Sequence, residues 1–295
     1  GSEPPRRFIE LPPAIRAAEL DSFVKLFSMN WSPMKVYAHR GASIDAPENT
    51  LTAFSKALEF GAEGIELDCY RAKDGRIVVI HDDTLDRTTD ATGPVKERTA
   101  AELREVNAGG GDHVPTLDEV LALVTGKMRV NIEIKDPDAA DGVIEAVAAF
   151  DDLDWFVSSG HWETLELIHQ RTGAQVYPLT IGAEENAEVM IRRHADVITP
   201  EQVASLKRMS RDWTDAIDFG KRLHAPGISI YEQNITPEII GAIHDAGMEA
   251  WVWTINDPIR ALEVTAMGAD AICTDAPAEV LAARDAASDS TPAAV

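Results

Sequence analysis

Cysteine is scarce in this chain, and positive charge is outnumbered. Only Cys69 and Cys273 occur among 295 residues, each inside an apolar run. That excludes a disulfide-stapled scaffold and leaves two buried, reduced thiols as the reading. Lys and Arg total 27 against 50 Asp and Glu, a formal net charge of −23. Nucleic acid and anionic membrane surfaces require clustered basic residues, so neither is expected as a partner. A small phosphodiester substrate is compatible, because it needs positive charge only locally. No run approaches about 18 consecutive apolar residues, so neither a transmembrane helix nor stable membrane insertion is predicted. No signal-peptide pattern opens the sequence, which makes cytoplasmic the expected compartment. Gly1-Ser2 has the look of a cloning remnant, which leaves an export signal upstream open. The 45% hydrophobic content supplies one large domain with a sizeable core. The sequence sets no oligomeric state.

Short β-rich runs alternate with helical patterns, the signature of βα units around a parallel sheet. The strand candidates are 36–39, 64–69, 128–134, 155–158, 175–179, 227–231, 250–254 and 271–274. Eight such units predict an α/β fold, a (β/α)8 TIM barrel, spanning 34–285. A ninth candidate, 196–199, is left outside the barrel. Helices are predicted over 50–60, 117–124, 139–149, 162–171, 183–193, 201–223, 237–246 and 258–267. Residues 1–33 form an N-terminal extension, with 14–27 at amphipathic helical spacing. The composition of 286–295 is that of a disordered tail. Asp74-Gly75 lies between two β-rich runs and signals a hairpin that returns His81 toward Leu67 and Asp68. Residues 83–115 follow without a core period, a small insertion at the C-terminal face where substrate lids are built.

The chemistry-bearing residues end these strands, where barrel active sites form. Glu66 and Asp68 are two apart on one strand, so both side chains point to the same face. Inward carboxylates in an apolar run need compensation. With Glu133 they make an oxygen-rich set suited to one hard divalent cation, Mg2+ or Ca2+. The alternative is salt bridging to Arg40 and Lys135 without metal. His39 and His81 suit a general acid and a general base. Arg40 and Lys135 offer fixed charge to phosphate oxygens. Trp253 either walls the pocket or packs in the core. His113 and His161 are weaker pocket candidates. His169, His194, His224 and His244 read as surface or packing residues.

The motifs Ala38-His39-Arg40-Gly41, Ala46-Pro47-Glu48-Asn49-Thr50 and Gly64-Ile65-Glu66-Leu67-Asp68 resemble the glycerophosphodiester phosphodiesterase family. So do Val78-Val79-Ile80-His81-Asp82, Asp86-Arg87-Thr88-Thr89, Asn131-Ile132-Glu133-Ile134-Lys135, Trp253-Thr254-Ile255-Asn256 and Cys273-Thr274-Asp275-Ala276-Pro277. The resemblance covers 35–282. It implies a TIM-barrel hydrolase using one divalent cation held by Glu66, Asp68 and Glu133, with His39 and His81 in acid/base roles. It places Arg40 and Lys135 on phosphate and gives Glu48 and Asn49 a structural part. The implied reaction takes a deacylated head group such as glycerophosphocholine to glycerol 3-phosphate and an alcohol. Two departures stand out. Family members often carry an aromatic residue after the paired serines of the fourth barrel strand, where this chain has Gly160-His161. Cys69 replaces an aliphatic residue. The alternatives are a lysophospholipase D-like activity, with an apolar groove by the insertion, a cyclising phospholipase D-type lyase, and a head-group-binding barrel without turnover.

Overall fold

A computed structural model describes residues 34–233 and 235–289. The extension 1–33, including the helix expected over 14–27, lies outside the described residues. Nine strands follow in chain order: β1 (Lys35–His39), β2 (Gly64–Arg71), β3 (Ile77–Val79), β4 (Arg129–Ile134), β5 (Trp155–Ser159), β6 (Val176–Thr180), β7 (Gly227–Tyr231), β8 (Glu249–Trp253) and β9 (Ala271–Thr274). All but β3 are parallel to their neighbours, and β1 pairs with both β2 and β9. The sheet therefore closes into the expected TIM barrel. Strands of such a sheet are buried on both faces and read as near-continuous apolar runs, which is why they are visible in the sequence. No helix among the described residues is long and apolar enough to cross a membrane.

Aromatic rings plug the barrel lumen: Tyr37 and Trp251 stand 4.2 Å apart, Phe156 and Tyr177 4.5 Å. Two glycines make room for the tyrosines. A Cβ on Gly64 would stand 2.2 Å from Tyr37 Cε1, and one on Gly227 2.4 Å from Tyr177 Cε1. A floor filled in this way leaves the opposite, C-terminal end of the strands open for a site.

β3 returns antiparallel along β2, with Cys69 opposite Val79. The turn at Asp74-Gly75 is the one expected. The insertion then builds a small core of its own. Leu85, Val95, Leu103 and Val114 bury themselves against Val78 and Ile80 of the hairpin. A short 3-10 turn (Val95–Glu97) and the helix Ala100–Arg104 complete it.

Three expectations need correction. The helix predicted over 201–223 is two, Pro200–Met209 and Trp213–Leu223. Asp212 caps the second by accepting from the Thr214 amide at 2.8 Å, so the chain restarts there. The candidate strand 196–199 is a turn leading into the first, where Thr199 and Gln202 form a reciprocal capping box with Pro200 behind it. The last helix, Pro277–Asp289, carries 286–289 of the expected tail in helical form. Residues 290–295 lie outside the described residues.

Candidate active site

Register brings the site together. His39 lies opposite Glu66 across β1 and β2, and Asp68 lies opposite Glu133 across β2 and β4. The hairpin supplies His81: the Ile80 amide donates to the Asp68 carbonyl at 3.0 Å, and His81 follows. The chain turns sharply after β1, with Arg40 at φ 58° and Gly41 at φ 82°. Gly41 suits that left-handed conformation, and a Cβ there would meet the Ala53 backbone at 2.6 Å. The turn points the Arg40 amide at Glu66, 3.0 Å from its carbonyl and 3.1 Å from Oε2.

Glu66, Asp68 and Glu133 are all buried and offer oxygens within 4.8 Å of one another. Their compensation is incomplete. Lys135 Nζ donates to Glu133 Oε1 at 2.6 Å and pairs with Asp68 Oδ1 at 3.2 Å. Arg40 Nε lies 3.4 Å from Asp68 Oδ2, which also accepts from Asn49 Nδ2 at 2.9 Å. Two fixed cations thus face three carboxylates, and Glu66 Oε1 is buried with no hydrogen-bond partner. Burial, then the charges of Asp68 and Glu133, raise the Glu66 carboxyl well above the ordinary range. Against the opposing effect of burial, Lys135, His81 and Arg40 hold Asp68 low. An orphaned oxygen in an all-carboxylate set fits a hard divalent cation, which would occupy the position otherwise left to a proton.

Two imidazole–carboxylate pairs flank the triad. His39 Nδ1 lies 2.6 Å from Asp275 Oδ1, and His81 Nδ1 lies 2.6 Å from Asp82 Oδ1. Ionised carboxylates only accept, so each pair places a proton on Nδ1 and leaves Nε2 for chemistry. Ser43 Oγ and Asn256 Nδ2 also donate to Asp275, at 3.0 and 2.6 Å. Arg87 donates to both oxygens of Asp82, at 2.7 and 2.9 Å, and grips Glu48 with both terminal nitrogens. Glu48 in turn accepts from Arg40 Nη1 at 2.9 Å. Burial, then the neighbouring Arg40 and Lys135, push His81 down to about 4, so its resting ring is neutral.

A cavity of about 360 Å³ opens over these groups, lined by His39, Arg40, Glu66, His81, Glu133, Lys135 and Trp253, while Asp68 lies fully buried beneath it. Trp253 stands on its wall beside Tyr231, ring centroids 5.3 Å apart.

The glycerophosphoryl diester phosphodiesterase family model matches residues 39–279. The chain belongs to that family. The glycerophosphodiester phosphodiesterase of Caldanaerobacter subterraneus is 31% identical over 257 residues, covering 82% of this chain and 94% of that protein. The solved glycerophosphodiester phosphodiesterase of Agrobacterium tumefaciens is 31% identical, with a TM-score of 0.63, over 84% of this chain and 99% of that one. An Oleispira antarctica phosphodiesterase, solved in complex with the product sn-glycerol-3-phosphate, aligns with a TM-score of 0.69 at 25% identity, over 85% and 96% of the two chains. This member of the family is accordingly a phosphodiester hydrolase.

Sequence reasoning missed the partners of the histidines in this glycerophosphodiester phosphodiesterase. Asp82 and Asp275 were visible as motif members, and a catalytic imidazole needs an acceptor for its second nitrogen. Arg87 lies within the insertion, so spacing alone did not connect it to Glu48. Glu48 and Asn49 do hold the loop after β1, and Glu48 also links Arg40 to Arg87. His161 does not reach the cavity wall: it precedes the helix Trp162–Thr172, and its Nε2 lies 2.8 Å from Arg208 Nη1. His113 pairs with Glu119 at 3.2 Å and also stays off the wall. His194, read as a surface residue, is exposed yet stands at the cavity rim.

Proposed function

We propose that this chain hydrolyses glycerophosphodiesters to glycerol 3-phosphate and an alcohol, with His39 and His81 moving protons beside one divalent cation. The carrying observation is the convergence of two imidazole–carboxylate pairs on a buried triad of carboxylates in one cavity. Glu66, Asp68 and Glu133 would hold Mg2+ or Ca2+, which when bound supplies Lewis-acid stabilisation of charge on a phosphate oxygen. Arg40 and Lys135, both on the cavity wall, orient the phosphate by charge-assisted hydrogen bonds. One histidine takes through Nε2 the proton of the nucleophile, either water or the neighbouring glycerol hydroxyl by way of a cyclic phosphate that water then opens, and the other protonates the departing alkoxide. Asp275 and Asp82 fix the tautomer that leaves Nε2 available and stabilise whichever ring becomes charged.

The test is release of glycerol 3-phosphate from glycerophosphocholine and glycerophosphoethanolamine in Mg2+, Ca2+ or EDTA. Metal-dependent release is expected. His39→Ala and His81→Ala should each lower turnover by at least about 100-fold. Equal release in EDTA removes the cation from the reading, and full turnover in both variants removes the histidines.

A further inference from the structure

The cavity lining includes two polar side chains outside the acidic triad that are almost sealed from solvent, Asn131 on β4 and Ser158 on β5. Asn131 is 6% exposed and Ser158 1%. Neither Asn131 Oδ1 nor Ser158 Oγ has a hydrogen-bond partner. A buried polar atom in that state costs free energy, so a native chain retains one where a ligand, an ion or a water meets it. The two differ in what they need. A hydroxyl both donates and accepts, so a single water satisfies Ser158, whereas an amide oxygen only accepts.

The register of the sheet narrows what meets Asn131. It lies opposite Glu66 across β2 and β4, and two residues before Glu133 on its own strand. Residues two apart on a strand share a face, and paired strands stand about 4.8 Å apart, so Asn131 shares the inward face of Glu66 and Glu133. Glu66 Oε1 is likewise buried without a partner. A carboxylate oxygen and an amide oxygen on neighbouring strands cannot satisfy each other, because both accept. Lys135 is engaged with Glu133 and Asp68, and the Arg40 guanidinium with Asp68 and Glu48, so neither fixed charge serves this pair. A divalent cation meets both oxygens at once. The oxygen that Asn131 brings is neutral, so it adds a ligand without adding a fourth negative charge to a set that Arg40 and Lys135 only partly balance. Amide oxygens are ordinary ligands of Ca2+, which takes about six to eight oxygens in flexible geometry, while Mg2+ keeps several waters and accepts few protein ligands.

We propose that Asn131 Oδ1 is a fourth ligand of the divalent cation, beside Glu66, Asp68 and Glu133, and that this neutral oxygen tilts the site toward Ca2+ over Mg2+. The inference rests on the cation in the phosphodiesterase reading. Asn131 exchanges no proton and takes part in no bond that breaks, so its contribution is to the choice of ion and the tightness of its binding.

The experiment follows metal binding without turnover. Calorimetric titration with Ca2+ and with Mg2+ compares the wild type with Asn131→Leu, which keeps the approximate size of the side chain and removes the oxygen. Ca2+ affinity should fall by about tenfold or more, and Mg2+ affinity by less. Terbium(III), a luminescent stand-in for Ca2+, reports the number of waters on the ion through its lifetimes in H2O and D2O. Asn131→Leu should gain about one water, and Asn131→Asp, which restores an oxygen, should match the wild type. In EDTA the stability effect has the opposite sign. Asn131→Leu should melt higher than the wild type, because it no longer buries an unmet acceptor. An asparagine that is merely structural predicts a lower Tm in EDTA and an unchanged water count, and that result overturns the inference. Weaker Ca2+ binding without a change in the water count makes Asn131 the holder of a water, which overturns it as a ligand. Equal losses for Ca2+ and Mg2+ overturn the preference between the ions. Wild-type binding that Asn131→Leu leaves intact sinks the inference alone. No binding of either ion to folded wild-type protein removes the cation from the phosphodiesterase reading, and the role of Asn131 with it.

Discussion

His39 and His81 each commit one ring nitrogen to a carboxylate, and the reactivity of the other depends on that commitment. Asp275 is the more informative of the two partners, because Asp82 also anchors Arg87 through two hydrogen bonds, so replacing it would disturb more than His81. An amide in its place no longer demands a proton on Nδ1, so the ring is free to take the wrong tautomer. Asp275→Asn should therefore lower kcat by about 100-fold to 10,000-fold while leaving KM nearly unchanged, as measured by steady-state kinetics. The same residue makes a statement about acid stability. Burial raises the Asp275 carboxyl, but hydrogen bonds from His39, Asn256 and Ser43 outweigh it and hold the group below its ordinary value of 3.8. The unfolded chain thus takes up this proton at a higher pH than the folded one. Stability from this group is complete above about pH 4 and is lost as pH falls through and below that value. Acid titration of circular dichroism should show a flatter acid limb in Asp275→Asn than in the wild type.

At the scale of elements, the helices Glu184–Arg193 and Pro200–Met209 pack on each other as a hairpin between β6 and β7, secured at the N-terminal entry to the second helix. Thr199 accepts from the Gln202 amide and donates to Asp83 Oδ1 at 2.9 Å, which ties the hairpin to the insertion across the cavity mouth. Thr199→Val removes both interactions at once. A loss of about 1 kcal/mol in urea unfolding is expected, together with a raised KM as the mouth loosens. This hairpin also shows where the sequence stops being legible. The barrel strands are continuous apolar runs between glycine-capped helices, and the Asp74-Gly75 turn uses local chemistry, so both can be read from nearest neighbours. The candidate site groups were legible for the same reason, since each ends such a run. The break at Ser210-Arg211-Asp212 depends on a cap in competition with a helical period that continues through it. Val197 and Ile198 looked like a strand because an apolar pair before a capping box has the same composition. Their place on the cavity wall is set by packing across more than one element, as is the link from Arg87 to Glu48, and no local pattern encodes either.

For the whole molecule, the balance of three buried carboxylates against Arg40 and Lys135 links stability to cation binding. Without a cation, Glu66 holds its proton more tightly in the folded chain than in the unfolded one, since burial and the charges of Asp68 and Glu133 raise it. The sign follows directly. Folded protein binds more protons than unfolded protein above the ordinary value of 4.5, so stability falls as pH rises from there through the raised value. A divalent cation bound only by the folded state reverses that loss by mass action, by about 2.7 kcal/mol at a concentration one hundred times Kd. Calorimetry should therefore show a Tm in EDTA that declines toward alkaline pH and recovers with Mg2+ or Ca2+. Glu66→Gln keeps the shape of the side chain and removes the charge that burial disfavours. Its Tm in EDTA at pH 8 should exceed that of the wild type, and its response to either metal should be largely lost. A wild-type Tm indifferent to both metals would leave Lys135 and Arg40 as the triad's only compensation, and the cation would have to be abandoned even if turnover persisted.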